Sequence, residues 1–336
     1  MERKYKAIFF IIYLLFIFTI ISIPSFILLA EFSNYGTIDR SLTYVYSSTT
    51  PPLKSEINLN ADIGIVHINY VNQPVDYIIK VDVSIEMGGP NLDGKSYLDF
   101  FNIVWENITT SVNFNLEIIS DMLLDFSKLH QANIYINFTL RADVIFDINV
   151  SIIDGAIKLA VPLGTTVNNL LLNVINGNII YDMYHCTIEG NISGIVKNGD
   201  IILKAYNNQY SQNCKLTLVN EVGYITIDIY QSEEMGANIT GTGITKTGII
   251  SLIYNDYSPN IGAQFILYNK TDHGAEGQNT WIGFERDFLP LGVGIFYYSK
   301  DFPTQNNYNF SLFKYGLNIP HPDGGDYLWN LYSVPT

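Results

Sequence analysis

Glycine recurs at a nearly fixed interval through the middle of this chain, and the residues after it repeat. Gly155, Gly177, Gly199, Gly223 and Gly248 are spaced by 22, 22, 24 and 25 residues. Two positions after them stand Ile157, Ile179, Ile201, Ile225 and Ile250; four positions after stand Leu159, Tyr181, Leu203, Ile227 and Leu252. Gly64, followed by Val66 and Ile68, is an earlier, separated copy. Alternate residues of a strand share a face. Positions two and four therefore predict a buried face, and position five, with Asp182, Lys204 and Asp228, a wet one. Position seven holds Tyr184, Tyr206 and Tyr230, a candidate aromatic ladder. Glycine between Asn or Asp neighbours, as in Asn176-Gly177-Asn178 and Asn198-Gly199-Asp200, predicts a turn with positive φ.

A second apolar run lies between the glycines, at 168–175, 190–196, 214–220 and 237–245. Each unit thus reads as two short strands and two turns. A propeller blade needs about 40 residues, so the shorter period points to a solenoid. The expected fold is all-β: a parallel β-helix or β-solenoid over 54–256, with 22–25 residues per coil and β caps at both ends. Stacking like residues over like turns short apolar strands into one continuous core. An antiparallel β-sandwich is the alternative, since it also has short strands at regular spacing. The strand-rich stretch 54–150 is expected to cover the first coils and cap one end, with a loop at 88–96. Residues 120–130 read as a short helix capped by Ser120, or as a hairpin connection. Residues 257–336 lose the period and gain aromatics, Trp281 and Trp329 among them. They read as a C-terminal cap or, alternatively, as an exposed aromatic binding surface.

Three phrases carry a family resemblance: ADIGIVHINY (61–70), VPLGTTVNNLLLNVINGNIIYD (161–182) and GIVKNGDIILKAY (194–206). Over roughly 57–255 the chain resembles the putative-adhesin β-solenoid domain family of unknown function, through a turn at Pro162 and Gly164 followed by N-G-D-I coils. The resemblance implies the solenoid fold in an archaeal-type membrane-anchored surface protein. It implies no catalytic residue.

From Ala7 to Ala30 run 24 residues without a charge, long enough to cross a bilayer as a helix. Arg3, Lys4 and Lys6 precede them and predict a single-pass signal anchor with residues 1–6 in the cytoplasm. Membrane lipid is then the partner of 7–30, and all that follows lies outside the cell. Residues 31–53, with Pro51-Pro52, read as a stalk. Glycosylation sequons occur at Asn107, Asn137, Asn149, Asn191, Asn238, Asn269 and Asn309, all after the span. Cys186 and Cys214 are the two cysteines: a disulfide outside the cell, or two buried thiols.

Signs of chemistry are few. The sequence lacks HExxH, a P-loop, GxSxG and any Cys/His cluster. No cofactor, metal site or catalytic residue is expected; Asp323 and Asp326 could bind calcium, but a Gly-rich turn with Asp is the commoner reading. A net charge of −14 argues against nucleic acid. The leading expectation is a non-enzymatic, adhesin-like surface scaffold whose partner is an extracellular protein or glycan. A polysaccharide-active β-helix enzyme using Asp182, Asp200 or Asp228 is one alternative. An extracellular sensor with a membrane partner is the other.

Overall fold

The computed structural model describes residues 35–72, 74–90, 92–108, 110–119, 129–211, 214–231, 239–256, 264–269, 281–288, 292–299, 306–311 and 330–334. Side chains are described as far as Thr245, and at Ile250. The expected cytoplasmic tail, membrane span, start of the stalk and segment 120–128 lie outside these residues. Among the described residues no helix is long and apolar enough to cross a membrane.

The described chain is all-β. Its strands are β1 Tyr35–Tyr46, β2 Lys54–Val71, β3 Ile79–Pro90, β4 Phe101–Ile108, β5 Ser111–Ile118, β6 Gln131–Arg141, β7 Ile145–Val161, β8 Thr166–Tyr184, β9 Thr187–Ile188 and β10 Ile192–Asn198. They continue with β11 Ile201–Tyr206, β12 Gln209–Tyr210, β13 Cys214–Gln231, β14 Ile239–Asp256, β15 Gln264–Asn269, β16 Trp281–Phe288, β17 Gly292–Ser299, β18 Asn306–Ser311 and β19 Asn330–Val334. One 3-10 turn, Tyr97–Asp99, is capped by Ser96. Tyr35–Tyr46, inside the expected stalk, is thus a strand rather than a linker, and it buries Ile38 and Tyr46.

The chain divides into two compact units. The first is drawn from Met1–Ser41, Ser84–Phe101 and Ile118–Asn133; the second from Leu42–Val83, Asn102–Glu117 and Ile134–Thr336. In the first, Leu92 and Phe100 are buried, Lys95 lies over the Phe100 ring, and the Tyr35 and His130 rings are 5.8 Å apart.

The second unit holds the repeats. β2 pairs with β7, β7 with β8, β8 with β10 and β11, both of these with β13, and β13 with β14. All these pairings are parallel. Their registers match the glycine spacing: Ile179↔Ile201, Ile201↔Ile225 and Ile225↔Ile250. An antiparallel sandwich would pair neighbours in opposite directions, so that alternative does not describe 145–256. On its far side β2 takes β5 and β6, again in parallel. β2 is therefore a layer of the stack, in register with β7 through Gly64↔Gly155, and not a cover over it. At the other end β14 pairs in parallel with β15 and β16, after which β15–β18, β16–β17 and β18–β19 are antiparallel.

Burial follows the two-residue period and changes phase at each glycine. In β8, after Val167, the buried residues are Leu170, Leu172 and Val174 before Gly177, then Ile179, Tyr181 and Met183 after it. The glycine corner thus turns the chain so that both arms face one core. Val66, Ile157, Ile179, Ile201, Ile225 and Ile250 are all fully buried. A fully buried side chain of this kind contributes roughly 1.5–3 kcal/mol, so the column is a main source of cohesion between layers. Two of the repeats also have a third, two-residue strand: β9 and β12 pair with each other, and β9 with Thr166 and Val167. Two residues are too few to show an alternating pattern, which is why the sequence suggested only two strands per unit.

Candidate functional site

The corners from Gly155 to Gly223 are joined by hydrogen-bonded side-chain ladders. Just before the glycine, Asn176 Nδ2 donates to Asp154 Oδ1 and Asn198 Nδ2 to Asn176 Oδ1, both at 2.8 Å. Just after it, Asp200 N donates to Asn178 Oδ1 at 2.8 Å and Tyr224 N to Asp200 Oδ1 at 2.9 Å. A third ladder starts the other arm: Asn169 N to Asp147 Oδ1, Asn191 N to Asn169 Oδ1, and Lys215 N to Asn191 Oδ1, at 3.1, 3.0 and 3.2 Å. The side-chain oxygens take up backbone donors that turns would otherwise leave to solvent. The recurring Asn-Gly-Asn/Asp phrase is thus a stacking device. Gly64, Gly155 and Gly177 are in register, as are Gly223 and Gly248. A Cβ built at Gly199 or Gly223 would meet the carbonyl oxygen of the preceding repeat glycine, which continues the column.

The outward face after the glycines carries the predicted tyrosines. Tyr206 is paired with both Tyr184 and Tyr230. The Tyr184 and Tyr206 rings stack at 5.1 Å with planes 3° apart; Tyr206 and Tyr230 are 6.3 Å apart and tilted by 32°. Stacked rings cover each other's faces, so this ladder offers its edges outward. The Tyr206 hydroxyl donates to Asp228 Oδ2. Burial first, then that bond and the carboxylate charge, push the phenol above its ordinary pKa. Lys204 lies between Asp182 and Asp228 in the register, while Lys158 Nζ stands 3.6 Å from Asp182. His67 is held below its ordinary value by burial and by Lys158. The three carboxylates considered for hydrolysis therefore differ in setting: Asp200 accepts a backbone bond at a corner, Asp182 faces Lys158 and Asp228 holds Tyr206.

A polar column lies inside the stack. Asn208 Oδ1 accepts from Cys186 N at 3.1 Å and from its thiol at 3.3 Å, and Asn208 Nδ2 donates to Met183 O at 3.1 Å. Asn208 N donates to Gln231 Oε1 at 3.0 Å, and Gln231 Nε2 returns a bond to Asn208 O at 2.8 Å. Cys186 and Cys214 are free and buried, so the disulfide weighed for them is not formed. Cys186 faces the Asn208 amide, while Cys214 opens β13 and pairs with Ile239. Burial pushes their thiols up to about 12 and about 11. Nothing in the sequence marked Asn208 or Gln231, because an amide at a corner reads as solvent-facing.

One cleft of about 550 Å³ opens among Val71, Pro74, Val75, Arg141, Asp143 and Leu163. Its charged pair is already satisfied: Arg141 Nε and Nη2 donate to Asp143 at 2.6 and 2.9 Å. Among the described residues no three His, Cys, Asp or Glu side chains form a group that would hold a metal ion. Asn107, Asn149 and Asn191 are exposed and Asn137 is half-buried. Asn269 and Asn309 lie on strands, and Asn238, Asp323, Asp326 and Trp329 fall outside the described residues.

No protein-family model matches the chain, and no curated protein matches it. Among solved structures it is similar to a "putative cell adhesion protein" from Clostridium sporogenes ATCC 15579, at 16% identity and a TM-score of 0.34, over 65% of this chain and 81% of that one. It is also similar to a "putative adhesin" from Parabacteroides merdae ATCC 43184, at 11% identity and a TM-score of 0.22, over 74% of this chain and 96% of that one.

Proposed function

We propose that the chain is a non-enzymatic, adhesin-like surface protein. In this reading residues 7–30 hold it in the membrane, residues 1–6 stay inside, and the parallel stack stands outside as a β-solenoid spacer. The observation that carries the reading is the parallel register of the repeat layers about their glycines, from Gly64↔Gly155 through Gly223↔Gly248. Such a register aligns the outward positions of successive layers in columns, which gives an extended protein or glycan a long surface to lie along. A net charge of −14 suits a solvated surface. The carboxylates support the same reading. A glycosidase needs two carboxyl groups about 5–10 Å apart across the bond. Here Asp200, Asp182 and Asp228 are engaged by Tyr224 N, Lys158 and Tyr206.

The test uses the full chain with an epitope after Thr336, made in the cells that normally carry it. Protease added to intact cells should remove the epitope. Deleting 7–30 should release the protein from the membrane fraction, and cells lacking the protein should attach less well to a surface coated with their neighbours' envelope. An epitope protected on intact cells would end the surface reading. Turnover of a polysaccharide by the purified chain, abolished by Asp200→Asn, would replace it with an enzyme.

A further inference from the structure

We propose that Asn191 is an N-glycosylation site, and that its saccharide covers the apolar side chains exposed beside it. The inference rests on the surface location proposed above. Asn191 begins the sequon Asn191-Ile192-Ser193. Ile192 points into the core at 2% exposure, so the strand period sets Asn191 and Ser193 on the same outward face. The two ends of the Asn191 amide are used differently. Its oxygen accepts from Lys215 N, and its backbone N–H is taken by Asn169 Oδ1. Among the described residues its Nδ2 donates to none, so a substituent there leaves the ladder's bonds in place.

Two other sequons, at Asn149 and Asn137, lack this combination. Asn149 spends its Nδ2 on Asn58 Oδ1, at 3.3 Å. Asn137 is half-buried on β6, in register with His67.

The surroundings supply a second observation. Leu171, in register with Ser193, is 41% exposed, and Ile195, two residues further along β10, is 40% exposed. Val219 pairs with Ile195 on the same face. A pyranose ring has an apolar C–H face, and a saccharide leaving Asn191 along β10 would lay it over these side chains. The covalent step needs an oligosaccharide carried on a lipid diphosphate and a transferase. Asn191 Nδ2 bonds to the anomeric carbon, the bond from that carbon to the phosphate oxygen breaks, and the lipid diphosphate leaves with the electron pair. The amide nitrogen gives one proton to a base of the transferase.

The experiment is glycopeptide mass spectrometry on the full-length protein purified from its own cells, with protease accessibility on intact cells as a parallel readout. The peptide holding Asn191 should carry whole sugar residues on most copies. Ser193→Ala should abolish the modification while leaving the hydrogen-bond ladder intact. Removing the sugar enzymatically should raise binding of a hydrophobic dye, and Leu171→Ser with Ile195→Ser should cancel that rise. An unmodified Asn191 in a chain that protease reaches from outside overturns the site and leaves the surface reading standing. A chain that protease does not reach overturns both. A sugar whose removal leaves dye binding unchanged overturns the covering role.

Discussion

The glycine column offers a controlled test of how the layers are held apart. A Cβ added to Gly177 would sit 1.6 Å from Gly155 O and 2.7 Å from its carbonyl carbon, at a φ of +134°. Real Cβ contacts rarely fall below 3.4 Å, so the layers would have to part locally by well over 1 Å. Adjacent strands are only about 4.8 Å apart, and the opening would break the hydrogen bonds flanking Gly155↔Gly177, including Asn176 to Asp154. Two or three such bonds at about 1 kcal/mol each, with about 1–3 kcal/mol of backbone strain, put Gly177→Ala at about 3–6 kcal/mol. Gly164 separates the two causes. It too has positive φ, +77°, but a Cβ there meets nothing within 4 Å. Gly164→Ala should therefore cost only the left-handed penalty, about 1–2 kcal/mol. Urea unfolding of the two variants, followed by far-ultraviolet dichroism, should separate their midpoints clearly and in that order. Equal midpoints would mean that close stacking at the glycine is not what the sequence repeat preserves.

Three further outcomes follow from the same layers. Tyr181 replaces the smaller aliphatic residues of its column and donates its hydroxyl to Ser193 O at 2.7 Å, while a Cβ at Gly194 would lie 3.0 Å from that hydroxyl. Gly194→Ala and Tyr181→Leu should each destabilise, and together by less than their sum, with a coupling of about 0.5–2 kcal/mol in a double-mutant cycle. Asn208→Ala leaves Cys186 N without its partner inside the stack and removes a bond to Met183 O, and should cost about 2–4 kcal/mol in thermal or urea unfolding. The two thiols should resist a disulfide reagent at pH 8 until denaturant is added. Their folded pKa values of about 12 and about 11 lie above the ordinary 9.0. Their contribution to stability is therefore fully present below pH 9 and lost as pH rises to 11–12, by about 1.4 kcal/mol per pH unit per thiol. Replacing both with Ala should flatten that part of the stability–pH curve.

What could be read in advance follows from how a repeat stores information. Ile179, Ile201 and Ile225 lie at a fixed interval along the chain and also touch between layers, so a one-dimensional spacing reports a three-dimensional contact. The same holds for Tyr184, Tyr206 and Tyr230 and for the Asn-Gly corners. Contacts across the core have no such signature. Tyr181 is matched to Gly194, 13 residues on and in the other arm, and neither residue looks unusual until the two are placed together. The β9 and β12 strands were hidden because two residues hold no period, and the Asn208–Gln231 column because amides are more often outside than in. Stacking constrains the inward and corner columns most tightly. The outward columns vary from layer to layer, as Asp182, Lys204 and Asp228 do, and Leu171 is followed by Ser193 and Thr217. Residues there face solvent and not the core, so the repeat is least exact on the outward columns.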